Sequence, residues 1–153
     1  MITVFYYTMY LNNIQIVLKD GMANRAKYVM GILTDRDELD LYFQKSYLSS
    51  DEMIILTDNN QSPYGDYTVR GIDHRLDMGF LWLWPWDDKA RLTVTERIPR
   101  IDGRAKGSRA EELIREKGDS ALYPPDWPEA SYQVLLVLEN GQWKIKSLTK
   151  VAK

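Results

Sequence analysis

The only histidine of the chain, His74, follows Asp73, and acid–base chemistry would first be sought at this pair. An imidazole acts as a general base near neutral pH when a carboxylate within hydrogen-bond reach orients it. Adjacent strand residues point to opposite faces, so on a strand Asp73 could not orient His74. A catalytic His74 would need a carboxylate from another part of the chain. The simpler expectation is a rim histidine among charged neighbours, namely Arg70, Asp73, Arg75 and Asp77.

The segment FLWLWPWDD, residues 80–88, concentrates aromatic side chains that would suit a planar ligand or a protein partner. Strand residues alternate between faces, so its phenylalanine and three tryptophans share one face and its two leucines the other. A strand that is apolar on both faces must be covered on both. We expect the aromatic row in the core and the leucine face against another segment, a ligand or a second subunit. The candidate binding residues are Trp82, Trp84 and Trp86, together with His74.

A basic stretch, RIPRIDGRAKGSR (residues 97–109), leads from a predicted strand into a predicted helix. Free backbone N–H groups at the start of a helix can bind an anion. The stretch is not a phosphate-binding P-loop, because it lacks the Gly-Lys-Ser/Thr sequence. We therefore consider an anion site formed by Arg104, Lys106 and Arg109, against the simpler interpretation of a solvated insert.

Several kinds of chemistry are excluded by composition. The chain has no cysteine and one histidine, which removes disulfides, thiol nucleophiles, zinc–thiolate sites and histidine-rich metal sites. The net charge of −2 argues against a broad nucleic-acid interface, which requires clustered positive charge. The acidic residues Asp35, Asp37 and Asp40 lack the glycine spacing of a calcium loop. We accordingly predict no metal ion and no cofactor.

The length and composition predict a single globular domain. The chain has 153 residues, of which 44% are hydrophobic and 27% charged. Residues 1–18 carry no charge, but their asparagines, glutamine and tyrosines argue against a membrane span. The N-terminus lacks the pattern of a signal peptide. The compartment stays open, cytoplasmic as numbered or exported if a signal was removed.

Helical periodicity marks the first part of the chain. Residues 1–18 fit either a helix or a hairpin. Thr34 is predicted to cap a helix over DRDELDLYFQKSYL, residues 35–48. Ser49 and Glu52 have the spacing of a capping box and predict a short helix after it.

Strand patterns follow, interrupted by one more predicted helix. YTVRGI (67–72), the tryptophan segment and KARLTVTERI (89–98) are predicted strands. Ser108 is predicted to cap a helix that Gly118 ends, with Leu113 and Ile114 facing inward. The three prolines of YPPDWP (123–128) argue against regular structure there.

The C-terminal segment YQVLLVLENGQWKIKSL predicts a β-hairpin around Asn140-Gly141, the preferred pair for a type I′ turn. Counting outward pairs Glu139 with Gln142, Leu138 with Trp143, and Leu136 with Ile145. Leu136, Leu138, Trp143 and Ile145 then share the core face, with Lys144 and Lys146 on the other.

This order of elements resembles the nuclear transport factor 2-like superfamily, whose members have a cystatin-like α+β fold. FYYTMYLNN (5–13) is similar to the first-helix signature of uncharacterised bacterial families in that group. DDKARLTVTE (87–96) is similar to their mid-sheet strands, and Trp143–Ile145 to the Trp-Lys-Ile pattern of their last strand. The resemblance implies a pocket and dimerisation through the sheet. It names no reaction, because some members are enzymes and many only bind.

These observations favour an α+β fold, with N-terminal helices packed on a curved, cone-like antiparallel sheet that ends in a C-terminal β-hairpin. We expect one domain over residues 1–153 with an insert at about 99–128. The expected function is non-catalytic binding of a small molecule or a protein partner, with a homodimer through the sheet. Two alternatives stay open. One is an inhibitor or immunity-type protein that blocks a partner, and the other is a dehydratase- or isomerase-like enzyme with His74 as its base.

Overall fold

The computed structural model describes residues 2–79 and 87–151, except for the side chains of residues 2–11, 108 and 120. Most helices precede the strands, and the strands form an antiparallel sheet, so the predicted α+β class is confirmed. The helices are α1 (Ile2–Val29), α2 (Lys45–Leu48), α3 (Glu52–Asp58) and α4 (Gly107–Lys117), with short 3-10 helices at Arg36–Leu41 and Asp119–Leu122. The strands are β1 (Tyr67–Met78), β2 (Lys89–Ala105), β3 (Trp127–Glu139) and β4 (Gln142–Lys150).

Within the described residues, the strands form one antiparallel sheet in the order β1-β2-β3-β4. Each strand pairs with its neighbour in sequence. Burial alternates along the first part of β2, which shows that one face of the sheet is covered by the helices. The buried row of β2 consists of Ala90, Leu92, Val94, Glu96 and Ile98.

Helix α1 supplies most of that cover. Residues 2–18 form part of this helix, whereas the sequence alone was compatible with either a helix or a hairpin. Apolar residues recur at helical spacing on one side of α1 and contact the sheet, which is the pattern of a helix with a single buried face. The fully buried members are Ile14, Leu18, Met22, Ala26 and Val29.

The buried side chains form two clusters along the sheet. The first cluster includes Ile14, Leu18, Phe43, Val94, Leu136, Trp143 and Ile145. The second cluster includes Ala26, Val29, Met30, Tyr64, Val69, Ile98 and Trp127. Helix α1 and strand β2 contribute to both, so these two elements connect the clusters.

The C-terminal hairpin is confirmed in register. Glu139 pairs with Gln142, Leu138 with Trp143 and Leu136 with Ile145, as counted from the turn. Asn140 and Gly141 have φ values of 51° and 80°, the left-handed conformation that a type I′ turn requires.

The predicted helix over residues 35–48 is wrong. The chain forms a short 3-10 helix capped by Asp35, then a β-bridge, then the single turn of α2. The bridge joins Phe43 to Ile145, with backbone hydrogen bonds from Gln44 N to Ile145 O (3.0 Å) and from Ile145 N to Tyr42 O (2.7 Å). Pairing with β4 therefore takes the backbone groups that a continuous helix would have used.

Two of the predicted helix caps are also corrected. Helix α3 forms, but Asp51 caps it in place of Ser49, whose hydroxyl instead donates to the carbonyl of Ser46 (3.0 Å). Helix α4 begins after Lys106, which takes the cap position predicted for Ser108, and it ends at Gly118, as predicted. Its Leu113 is buried, whereas Ile114, predicted to face inward, is 38% exposed.

The proline-rich segment before β3 is partly regular, contrary to the prediction. Strand β3 begins at Trp127 and includes Pro128. The β2–β3 register shifts between Glu96 and Ile98, at the level where Trp127 enters the sheet. A proline near the start of a strand is tolerated because it need not donate to the ladder there. Among the described residues no helix has the length and apolar character needed to cross a membrane.

Candidate functional site

Charged side chains lie inside the fold, on the face of the sheet that the helices cover. Arg25 is 6% exposed and lies beside Ala26 on the buried side of α1. Its Nε donates to Oδ2 of Asp51 (2.7 Å), and its Nη2 donates to Oδ1 (3.3 Å). This is a two-point contact between a guanidinium and a carboxylate, the strongest of the charged pairings.

Asp51 also accepts hydrogen bonds from donors other than Arg25. The hydroxyl of Tyr47 donates to its Oδ2, and the backbone N–H groups of Met53 and Ile54 donate to its Oδ1 at 3.0 and 3.3 Å. The same carboxylate thus caps α3 and holds Arg25. One side chain therefore fixes α1 and α3 relative to each other.

Each group of this network has a defined protonation state. Burial alone would raise the pKa of Asp51, but Arg25 and the hydrogen bonds outweigh it and hold that pKa below its ordinary value. Burial likewise opposes the charge of Arg25, yet Asp51 raises its pKa above the usual value. Burial raises the pKa of Tyr47 well above that of a free phenol. At neutral pH the three are anionic, cationic and neutral, respectively.

A second buried carboxylate lies in the sheet itself. Glu96 is fully buried between Val94 and Ile98 on the helix-facing row of β2. Its Oε2 lies 2.8 Å from Nε2 of His74, and its Oε1 accepts a hydrogen bond from Nε1 of Trp127 (3.0 Å). Both oxygens are therefore engaged.

The expectation of a rim histidine is wrong. The His74 side chain is 7% exposed, and Glu96 is the distant carboxylate that an orienting role would require. The β1–β2 register shifts between Asp73 and Arg75, so His74 lies at an irregularity of the sheet. Such bulges redirect side chains, which accounts for the inward position of His74.

Trp127 connects the Arg25–Asp51 pair with the Glu96–His74 pair. The guanidinium carbon of Arg25 lies 5.9 Å from the centre of a Trp127 ring, within the range of a cation–π contact. The Tyr64 ring lies 6.2 Å from the same side chain, with 30° between the ring planes. A continuous chain of contacts thus runs from Asp51 through Arg25 and Trp127 to Glu96 and His74.

This chain of contacts lies beside a cavity of about 310 Å³, which we call the Trp127 cavity. Its wall is largely aromatic and proline-rich, and it includes buried Arg25 together with the exposed Asp126 and Lys150. This combination of apolar walls and few polar groups is typical of small-molecule sites. The remaining wall residues are Met53, Pro63, Tyr64, Pro125, Trp127, Pro128, Ala130 and Tyr132.

One donor atom of Arg25 is closed off from solvent and has no acceptor in the described part of the chain. The Nη1 atom of Arg25 is buried and has no hydrogen-bond partner among the described residues. Burial raises the pKa of Tyr64 to about 12, with Asp126 adding to the effect, and burial also raises the pKa of Tyr132. The two phenols are therefore neutral at pH 7. The wall thus combines a buried cationic residue, Arg25, with two neutral tyrosines.

A larger groove, of about 510 Å³, lies between the end of α1 and the start of β1. Lys106 lines it, but Arg109 forms ion pairs with Asp66 (3.2 Å) and Glu112 (2.8 Å). Arg104 is an exposed residue of β2. The structure therefore surrounds Arg109 with carboxylates, and an anion site at these three residues stays a prediction.

The tryptophans on which the sequence analysis relied, Trp82, Trp84 and Trp86, lie outside the described residues, as does the strand predicted through them. His74, the predicted binding residue that the structure does describe, contacts the buried network. Among the described residues no group of three histidine, aspartate or glutamate side chains could hold a metal ion.

The sequence reasoning missed Arg25, Asp51, Glu96 and Trp127. A signal was present for two of them. Glu96 occupies an inward position in the alternation of β2, and Arg25 lies next to an apolar position of the α1 stripe. Charged residues at core positions of a regular pattern are rarely buried without a partner, and therefore indicate a buried network.

Comparison with known proteins adds no relative. No protein-family model matches the chain, and neither a curated protein nor a solved structure does.

Proposed function

We propose that this protein binds a small, largely apolar molecule in the Trp127 cavity without changing it chemically. The observation that carries the proposal is an aromatic, proline-rich cavity of about 310 Å³ whose wall includes the buried Arg25. Cavities of about 300–1,000 Å³ with few polar groups are the usual sites for small ligands. The predicted membership of the nuclear transport factor 2-like superfamily, in which many members only bind, supports the same function.

The energetics of the buried charges favour a functional role. A buried ion pair such as Arg25–Asp51 is often no more stabilising than apolar residues of the same volume, because both charges lose their hydration. Placing Glu96 in the same interior adds a further buried carboxyl group. Stability alone therefore does not account for this set of residues, of which Arg25 lines the cavity.

Ligand-observed NMR with small aromatic fragments tests the proposal. Fragments that bind the wild-type protein should lose binding in Tyr64→Ala, because this ring forms part of the wall. The control is Tyr123→Ala, which removes a ring that is 57% exposed and outside the wall, and it should bind as the wild type does. Near-UV circular dichroism verifies that both variants fold. Equal binding by the two variants would refute the proposed site.

A second candidate function is catalysis with His74 as the base. The contact of 2.8 Å between His74 Nε2 and Glu96 Oε2 favours it, because this is the geometry of an oriented base. However, His74 does not line the Trp127 cavity, and both oxygens of Glu96 are already engaged. Binding without chemistry is therefore the better-supported function.

Chemical modification distinguishes the two functions. A catalytic imidazole must be reachable by a small electrophile, and this chain has one histidine to follow. We expect diethyl pyrocarbonate to leave His74 unmodified in the folded protein and to modify it in urea, as read by mass spectrometry. Rapid modification of the folded protein would favour the enzyme.

A further inference from the structure

We propose that the outer face of the sheet, opposite the helices, binds a protein partner with an acidic surface. The partner places one carboxylate side chain in a small pocket that Arg91 helps to line. This surface is distinct from the Trp127 cavity, because the two walls have no residue in common. The proposal therefore adds a second binding surface to the one proposed above.

The alternation along β2, β3 and β4 defines the outer face. The buried residues of these strands point toward the helices, so the residues between them point away. Strand pairing places these outward residues in three adjacent rows across the sheet. Polar side chains predominate in each row, so this face is not part of the core. The rows are Lys89, Val137 and Lys144; Arg91, Leu135 and Ser147; and Thr93, Gln133 and Thr149.

The three rows carry cations and no carboxylate. Lys89, Arg91 and Lys144 lie in the first two rows, and the exposed Lys146 occupies the bulge of β4 beside them. Among the described residues, none of these four cations forms an ion pair. The acidic residues next to the first row lie beyond it, at Asp87, Asp88 and Glu139.

The positive charge belongs to this face and not to the chain as a whole, whose net charge is −2. Complementary charges speed the encounter of two proteins, and like charges exclude wrong partners. In a two-fold dimer the same patch lies on both sides of the interface, so the cations of one copy would meet those of the other. The face therefore suits a different, acidic protein better than a second copy of this chain.

A pocket of about 130 Å³ opens within the second and third rows. Its wall includes the exposed Arg91 together with Gln133, Ser147 and Thr149, whose side chains can all donate hydrogen bonds. An arginine guanidinium can bind a carboxylate through two parallel hydrogen bonds, the strongest pairing of this kind. The pocket thus offers one positive charge and several donors, which is the chemistry that recognises a carboxylate.

The size of the pocket favours a side chain of a protein over a free small molecule. Sites for small ligands usually measure about 300–1,000 Å³, whereas this pocket has about 130 Å³. Such a volume suits the end of one side chain, and protein interfaces concentrate affinity in pockets that single residues fill. A nucleic acid fits less well, because its affinity depends on many phosphate contacts and this face has four cations.

Fluorescence anisotropy with a labelled oligoglutamate peptide tests the proposal on the whole chain. We expect the peptide to bind at low salt. A double variant, Arg91→Gln with Lys144→Gln, should raise its Kd at least about tenfold, because hydrogen bonds to charged groups are lost.

The matched control removes the same charge elsewhere. Lys19→Gln with Lys117→Gln changes exposed residues of α1 and α4 and should keep the wild-type Kd within about twofold. Near-UV circular dichroism verifies that both double variants fold. Equal weakening in the two, or a wild-type chain that does not bind the peptide, would overturn the proposal.

A conservative variant tests the pocket itself. Arg91→Lys keeps the positive charge but loses the planar guanidinium that meets a carboxylate at two points. We expect its Kd for the oligoglutamate to rise by about threefold or more, since one charge-assisted hydrogen bond is lost. Binding with the wild-type Kd would overturn the role of the pocket.

A labelled single-stranded DNA with the same number of negative charges tests the class of partner. It should bind the wild-type chain more weakly than the oligoglutamate does. Tighter binding of the DNA would overturn the protein partner and assign the face to nucleic acid.

Discussion

At the scale of single residues, Glu96 depends on two donors that come from other strands. His74 of β1 and Trp127 of β3 meet its two carboxylate oxygens at 2.8 and 3.0 Å. Removing one of these partners leaves an oxygen of the buried carboxyl group without a hydrogen bond. We expect His74→Ala to lower the free energy of unfolding by about 1–3 kcal/mol in urea denaturation.

The control for this variant is on the same strand. Arg75→Ala removes an ion pair with Asp73 whose side chains are 59% and 43% exposed, so the change should stay within about 0.5 kcal/mol. Adding Glu96→Gln to His74→Ala should recover part of the loss, because an unpaired amide is less costly to bury than a carboxylate. An effect of His74→Ala no larger than that of Arg75→Ala would contradict the buried pair.

The carboxylate of Asp51 makes the free energy of unfolding depend on pH in the acidic range. Its pKa is lower in the folded chain than the ordinary value of 3.8, so folding favours the ionised form. The stabilisation from ionised Asp51 is fully present above the pKa that this residue has in the unfolded chain. It is lost as the pH falls through that pKa toward the lower pKa of the folded chain. We expect the urea midpoint to fall between pH 6 and pH 3, and the fall to be smaller in Asp51→Asn.

Asp73→Asn is the matched control for acid sensitivity. Asp73 is partly exposed and contacts only the exposed Arg75 among the ion pairs described, so this variant should keep the wild-type dependence on pH. If Asp51→Asn and the wild-type protein lose the same stability on acidification, Asp51 is not the responsible group.

At the scale of elements, Gly21 determines how closely α1 approaches its neighbours. A Cβ atom at this position would lie 2.9 Å from Cβ of Tyr42 and 3.3 Å from Cδ1 of Ile145. Alanine is the better helix former by about 1 kcal/mol, but α1 would have to move away from the bridge to β4. We expect Gly21→Ala to destabilise the protein by about 1–3 kcal/mol in urea denaturation, as overpacking does.

Gly107 provides the opposite case in α4. A Cβ atom there would meet no atom within 4 Å, so Gly107→Ala should leave stability unchanged or raise it by up to about 1 kcal/mol. The two variants make the same chemical change in a helix and should differ in sign. Stabilisation by both would mean that α1 does not pack as closely as described.

The elements differ in how well the sequence alone predicts them. The C-terminal hairpin was predicted pair by pair, because the turn type at Asn140-Gly141 and the alternation beside it are local properties. Residues 35–48 were predicted wrongly, because the backbone at Phe43 pairs with Ile145, about a hundred residues away. Local propensity contains no information about that contact.

The site was less predictable than the fold. Arg25 and Asp51 are 26 residues apart, and Glu96 and Trp127 are 31 apart. No spacing rule joins such pairs, so their contact follows only from the packing of α1 and α3 on the sheet. The local signs of buried charged residues were the position of Glu96 in an otherwise apolar alternation and that of Arg25 beside the apolar stripe of α1.

At the scale of the whole molecule, the two core clusters share α1 and β2. Val94 of the first cluster and Ile98 of the second lie on the same strand, and Leu18 and Ala26 lie on the same helix. The Trp127 cavity adjoins the second cluster, since Tyr64 and Trp127 belong to both. Loss of either cluster therefore removes an element that the other requires, and we expect one cooperative unfolding transition.

Two large-to-small substitutions test this cooperativity. Leu136→Ala in the first cluster and Ile98→Ala in the second should each lower the free energy of unfolding by about 2–5 kcal/mol. The exposed Leu41, at 60%, is the control, and Leu41→Ala should change it by less than about 0.5 kcal/mol. Near-UV and far-UV circular dichroism should give coincident urea transitions in all three variants. If Ile98→Ala instead separates the transitions, the half of the core beside the cavity unfolds independently, and the buried charges would be opening to solvent while the first cluster stays folded.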